Sequence, residues 1–102
     1  MSHRVRVLLW HRVPSPEEGA GLEAAYHAVS QALAPTPGLL GSELLVSLGD
    51  PERVLVMSEW ASLEAFRAWE QGREHRDTTA PLRPWRDHSG RPVEILQVRS
   101  AY

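Results

Sequence analysis

Between Val54 and Pro81 the chain changes its period. The short apolar run Val54-Leu55-Val56-Met57 leads into a strand that ends at Trp60, Ser62 follows as a helix-starting residue, and a helical pattern runs on toward His75. A junction of this kind constrains the fold strongly, because it stacks a helix against the sheet it has just left, and α+β domains open pockets between those layers. Trp60, Phe66, Trp69 and His75 then bring aromatic surface and one proton-handling group to the same place. Leu63, Phe66 and Trp69 also have the spacing of an ordinary buried helical stripe.

The rest of the chain supplies the layers. Val5, Val7, Leu9 and Val13 alternate with Arg4, Arg6 and Arg12, which predicts a strand over Arg4–Val13 with one apolar face, and His11 falls on that face. Ser15-Pro16-Glu17-Glu18 has the form of an N-cap, a proline at the first helical position and a capping-box glutamate, so a helix is predicted from Pro16 to Leu33. Its core stripe is Leu22, Ala25, Tyr26, Val29 and Leu33. Ala34-Pro35-Thr36-Pro37-Gly38 ends it. Ser42–Leu48 and Arg53–Trp60 read as a hairpin turning through Gly49-Asp50-Pro51-Glu52. A second helix, capped by Ser62, stops at Gly72, and a further turn or two extends over Arg73–Thr79. Pro81–Pro92 reads as irregular, and Val93–Val98 as the last strand.

The order is β-α-β-β-α-β in one domain spanning residues 1–102. That is the ferredoxin-like α+β unit, a four-stranded antiparallel sheet with two helices on one face. Arg4, Arg6, Leu8, Trp10 and Arg12 point to the other, uncovered face, where Leu8 and Trp10 are apolar enough to want a partner. A domain of 102 residues has a modest core, so a homodimer closed sheet to sheet is the expected assembly.

Charge and composition remove several functions. A net charge of −2 leaves no electrostatic footprint for nucleic acid, and no apolar run approaches the roughly 20 residues of a membrane span. The N-terminal residues enter a strand pattern with no signal-peptide form, and the chain has no cysteine, so a cytoplasmic location is expected and thiolate chemistry is not. All 11 basic residues are arginine, which excludes a Schiff-base lysine. His3, His11, His27, His75 and His88 lack ligand spacing, so no dedicated metal site is expected.

Pro37-Gly38 before the hairpin, then Ser58-Glu59-Trp60, Ser62, Glu64-Ala65-Phe66, Trp69 and His75, resemble the antibiotic biosynthesis monooxygenase superfamily of dimeric α+β barrels. The resemblance covers about Arg4 to Val98. It implies oxygenases that turn polyketide anthrones into quinones without metal or flavin, relatives that use reduced flavin, haem degraders, and cyclases and isomerases of similar fold. In the quinone formers a tryptophan ending the third strand is implicated in catalysis, and Trp60 matches it; the asparagine expected four residues earlier is Val56, and the tyrosine expected six residues later is Phe66. In the haem degraders Trp69 matches a tryptophan on the second helix, but His11 stands near the position of an asparagine and His75 comes early for the axial histidine. The stretch TTAPLRPW, with Arg83 and Trp85, is more similar to the polyketide-associated members.

These readings meet in a small oxygenase acting on a polycyclic phenol or anthrone with molecular oxygen, without a cofactor, reduced flavin and haem being the alternatives. Trp60, His75, His11 and Arg83 are the expected catalytic residues: a histidine as base, a guanidinium as anion stabiliser and an indole to align the substrate. Phe66, Trp69, Tyr26, Trp85 and Arg86 are the expected substrate contacts. A cofactor-free polyketide cyclase or isomerase, a haem-degrading monooxygenase and a non-catalytic ligand-binding dimer are the competing readings, since acid–base groups in an apolar cleft serve several of these.

Overall fold

The computed structural model describes residues 3–72, 75–91 and 93–102, with the side chains of residues 75 and 76 outside that description. The strands are β1 (Val5–Arg12), β2 (Leu39–Val46), β3 (Arg53–Trp60) and β4 (Val93–Gln97). The helices are α1 (Pro16–Leu33), α2 (Leu63–Glu70) and the short α3 (His75–Thr79), which passes into a 3₁₀ helix over Ala80–Trp85. The sheet order is β2-β3-β1-β4 and every neighbouring pair is antiparallel, so the ferredoxin-like β-α-β-β-α-β arrangement is the one adopted.

Alternation in β1 sorts the two faces as its sequence implies. Val5, Val7 and His11 are buried while Arg4, Arg6 and Arg12 are exposed. The β1–β3 register pairs Val5 with Trp60 and His11 with Val54, so the helix-facing side of β3 consists of Val54, Val56, Ser58 and Trp60. On α1, Ser15 Oγ accepts from the Glu18 amide at 3.2 Å, and Leu22 and Val29 are buried with Ala25, Tyr26 and Leu33 packed against them. The Glu18 carboxylate accepts a hydrogen bond from Trp85 Nε1, which ties the 3₁₀ helix to the first turn of α1. Gly21 makes room for that indole, because a Cβ there would stand 3.2 Å from its Cζ2. Ser62 caps α2 by accepting from the Ala65 amide at 3.1 Å.

The structure departs from the sequence reading in several places, β1 being shorter by one residue at each end and α2 ending at Glu70 rather than at Gly72. β2 begins at Leu39 and ends at Val46, not Ser42 and Leu48: an irregularity between Leu39 and Gly41 lets the strand start against Trp60, while Ser47 and Asp50 close the hairpin turn and leave Leu48 96% exposed. Pro81–Pro92 is not wholly irregular, since Pro81 opens a 3₁₀ helix whose dihedrals suit its ring, and Arg86 then forms a bridge with His11. Leu63 does not extend the buried stripe of α2; Phe66 is buried and Leu63 remains 39% exposed. β4 ends at Gln97, one residue earlier than expected, and Val98 makes a single further bond to the Arg4 carbonyl.

The core divides in two. Val13, Leu22, Val29, Val54, Val56 and Leu82 form one cluster beneath α1 and the 3₁₀ helix; Val5, Val7, Trp60 and Phe66 form the other beneath α2. The opposite face of the sheet carries no helix. There Arg53 lies over the Trp10 ring at 3.9 Å, Glu59 pairs with Arg4 and Arg6, and Leu40, Leu45 and Leu96 are exposed.

Candidate functional site

A cavity of about 200 Å³ occupies the seam between the two core clusters, with Val29, Val56 and Leu82 of one and Val7, Trp60 and Phe66 of the other among its walls. Its apolar lining is interrupted by polar groups: Tyr26, Ser30, Ser42, Ser58, Glu70, Thr79 and Arg86. A broader groove of about 710 Å³ lies alongside between the end of α1, the Pro35–Gly38 turn and α2, and shares Leu33 and Trp69 with the cavity. Leu33 and Trp69 thus line both spaces.

The aromatic end of the cavity is rigid. Trp60 is 1% exposed and donates from Nε1 to Ser58 Oγ at 2.9 Å, a bond between side chains two apart on one strand and therefore on one face. Trp69 stacks on it with ring centroids 5.4 Å apart and planes at 30°, and Phe66 meets it edge-on at 5.5 Å. Such contacts add roughly 0.5–1.5 kcal/mol each beyond area burial, so the three rings hold one another in fixed orientations. On the other side Tyr26 Oη and Ser42 Oγ share a hydrogen bond of 2.9 Å, fixing the phenol that α1 projects into the cavity.

Arg86 is the cation of the cavity wall. Its Nε is buried and has no hydrogen-bond partner among the described residues. Burial, aided by the neighbouring Arg83 charge, lowers the guanidinium pKa from its ordinary value, but a guanidinium remains protonated at neutral pH. His11 lies behind this wall. Its ring is completely buried, Nδ1 is 2.9 Å from the Leu9 carbonyl, and Nε2 has no hydrogen-bond partner among the described residues. Burial, and secondarily the Arg86 charge, push its pKa below 6.5, partly opposed by the Leu9 bond and by Asp87.

Of the residues singled out from the sequence, the cavity brings together Tyr26, Trp60, Phe66, Trp69 and Arg86. Three others stand apart from the described walls. His11 shares the helix-facing side of β1 but sits deeper than the cavity surface; Arg83 lies on the 3₁₀ helix, where it acts on Arg86; and Trp85 packs over Gly21 with its N–H committed to Glu18. Trp85, expected to touch substrate, lies outside the described cavity walls and staples the 3₁₀ helix to α1. His75 opens α3, whose Thr78 reaches the groove and whose Thr79 reaches the cavity; the His75 side chain lies outside the described residues. Sequence reasoning overlooked the hydroxyls of Ser42 and Ser58. The signal for Ser58 was strand parity, since a residue two before Trp60 shares its face.

No group of three His, Asp or Glu side chains among the described residues is placed to hold a metal ion, and no described helix is long and apolar enough to cross a membrane.

With this geometry in view, the chain was compared with known proteins. The family model described as "Antibiotic biosynthesis monooxygenase" matches residues 5–81. Protein SchA of Streptomyces halstedii is 35% identical over 82 residues, 80% of this chain and 21% of that protein. The chain spans about a fifth of the length of the first curated relatives it matches. Among solved structures, a heme-degrading protein from Mycobacterium tuberculosis aligns with a TM-score of 0.75 and 25% identity over 100% of this chain and 98% of that one. SnoaB, a cofactor-independent oxygenase from Streptomyces nogalater, aligns with a TM-score of 0.76 and 16% identity over 99% and 97% of the two chains, a likeness of fold.

Proposed function

The chain belongs to the antibiotic biosynthesis monooxygenase family, and from that premise we propose that it is a cytoplasmic, homodimeric oxygenase that oxidises a polycyclic phenol or anthrone of polyketide type with molecular oxygen and without a cofactor. One observation carries this reading: three mutually packed aromatic rings enclose a cavity whose wall presents one buried, unpartnered guanidinium N–H. Flat aromatic surface favours a flat aromatic ligand, and the guanidinium of Arg86 favours one that becomes an anion, the carboxylate of Glu70 in the same lining being engaged by Arg67 at 3.0 Å. SnoaB, described as a cofactor-independent oxygenase, has the same fold.

In this reading the reacting ring enters the cavity past Trp69 while the remainder of the polycycle rests in the groove. His75 takes the acidic proton, leaving a delocalised carbanion or phenolate whose charge faces Arg86. That anion gives one electron to oxygen; the radical pair combines to a hydroperoxide, and loss of water leaves the quinone carbonyl. One oxygen atom ends in product and the other in water. Trp60, Phe66 and Trp69 exclude water and align the ring, while Tyr26 and Ser42 offer a hydroxyl pair to a second substrate oxygen. The open sheet face, with Leu8, Trp10, Leu55 and Met57, serves as the dimer contact.

The likeness to a heme-degrading protein raises a second reading. Among the described walls of cavity and groove there is no histidine, the chain has no cysteine, and the phenol of Tyr26 is engaged with Ser42, so the described residues supply no axial ligand; His75, whose side chain lies outside the described residues, is the histidine a haem would need, and the haem-supplemented sample below decides that reading.

The test is oxygen uptake by purified protein given an anthrone, with parallel samples containing haem or reduced flavin. Uptake without additions that falls about 10²-fold in His75→Ala, with substrate binding retained, supports the assignment. Uptake only with an additive assigns the cofactor chemistry instead, and ligand binding without any uptake indicates a cyclase or a binding protein.

A further inference from the structure

Two buried side-chain atoms among the described residues lack a hydrogen-bond partner, and both belong to residues that face each other. They are Nε2 of His11 and Nε of Arg86. The two residues form an antiparallel bridge, an arrangement that sends both side chains to the same side of the sheet. Buried polar atoms are paired as a rule, so two orphans on opposed residues call for a single explanation.

Their chemistry is complementary. The Leu9 carbonyl, 2.9 Å from His11 Nδ1, can only accept a hydrogen bond, so Nδ1 carries the proton and Nε2 of the neutral ring is a free lone pair. Arg86 Nε is a donor in every protonation state the protein reaches. A bare acceptor and a bare donor thus stand on bridged residues, and of the two only Arg86 reaches the cavity surface.

We propose that His11 is the positioning residue for Arg86: neutral Nε2 accepts a hydrogen bond from the guanidinium, through one buried water where the two do not touch, and so holds the charge at the cavity wall for an anionic ligand. The function of that anchor rests on the reading of Arg86 given above; the pairing of the two residues does not. His11 is then no general base, since its lone pair is spent on Arg86 and its ring has no exposed edge.

The arrangement is sensitive to pH. The charged groups acting on the ring are Arg86, which opposes protonation, and Asp87, which favours it; Val54, opposite on β3, is uncharged, and Arg83 acts on Arg86. Burial holds the ring neutral at pH 7. Once protonated, Nε2 becomes a donor facing a donor, two cations meet across the bridge, and Arg86 is released from its seat.

The experiment follows the His11 ring by ¹⁵N NMR and measures binding of 1,8-dihydroxyanthraquinone, a polycyclic phenol at the product oxidation level. In the wild type His11 should show the Nδ1–H tautomer and titrate below 6.5, and Arg86→Met should raise that titration point; an unmoved titration overturns the pairing. At pH 7 His11→Phe and Arg86→Met should each weaken the probe about tenfold, the scale of one charge-assisted hydrogen bond, and together little more than either alone. His11→Gln, whose amide oxygen can replace Nε2 as acceptor, should retain affinity within about threefold and lose the acid-side pH dependence. Additive losses in the double variant overturn the positioning role. Failure of the wild type to bind the probe would sink the functional reading, and the NMR titration would still decide the pairing.

Discussion

Replacing Gly38 by alanine should unfold this domain more readily than any other single-methyl change on its surface. Gly38 has a φ of +85°, a region where an L side chain costs roughly 1–2 kcal/mol. A Cβ built there would overlap the Cβ of Ala65, in the first turn of α2, and forced overpacking of this kind costs about 1–3 kcal/mol. The close approach is not incidental, because the Gly38 carbonyl accepts from the Ala61 amide at 2.8 Å and sets where α2 begins. The sum, roughly 2–5 kcal/mol, is a large share of the 5–15 kcal/mol typical of a domain. Urea unfolding followed by the fluorescence of the four tryptophans should show a midpoint lower by at least about 1 M with an unchanged slope. Ala65→Gly, itself costing about 1 kcal/mol, should relieve the overlap but not the dihedral strain, so the two changes should couple favourably by about 1–3 kcal/mol. A loss under about 0.5 kcal/mol, or strict additivity, would refute the argument that this turn holds α2, and with it Phe66 and Trp69, against the sheet.

Trp60→Phe keeps the packed ring but removes the donation to Ser58, and should cost about 1–3 kcal/mol in urea unfolding while lowering turnover more than it weakens substrate binding; equal stability would show the Nε1 bond to be idle. Because burial lowers the folded pKa of His11 below 6.5, the unfolded chain takes up that proton first. Stability should therefore fall as pH drops from about 6.5 toward the folded pKa and level off beneath it, and His11→Gln should remove that part of the pH dependence of the urea midpoint; identical profiles would contradict it. Under the proposed sheet-to-sheet pairing the wild type should sediment as a dimer in analytical ultracentrifugation and Trp10→Glu, which places a charge on the open sheet face, as a monomer with little change in the far-UV spectrum; a monomeric wild type or an unaltered assembly would contradict that pairing.

The elements were legible where one physical rule acted alone. β1 alternates, α1 has its serine, proline and glutamate, and Arg53–Trp60 is bounded by a proline turn and a helix cap, so their positions could be read directly from the chain. β2 was displaced because its start depends on Gly38 and the irregularity opposite Trp60, which only the partner strand reveals. The seat of Trp85 was hidden for a related reason: nothing in a proline-rich loop announces that Gly21 and Glu18, far off in sequence, make room for its indole and accept its N–H. For the candidate site, helical and strand periodicity identified the aromatic rings. Depth was not legible. Parity put His11 on the correct side of β1 but could not distinguish a cavity wall from the layer behind it, which is settled by the bridge to Arg86.

The most direct test of the central claim is the fate of labelled oxygen. Protein freed of haem and flavin, given an anthrone under ¹⁸O₂, should yield a quinone carrying one ¹⁸O atom, with the second in water and one oxygen consumed per product. A quinone without label, or no oxidation while the anthrone still binds, would contradict an oxygenase and leave the cavity to a cyclase or a binding protein.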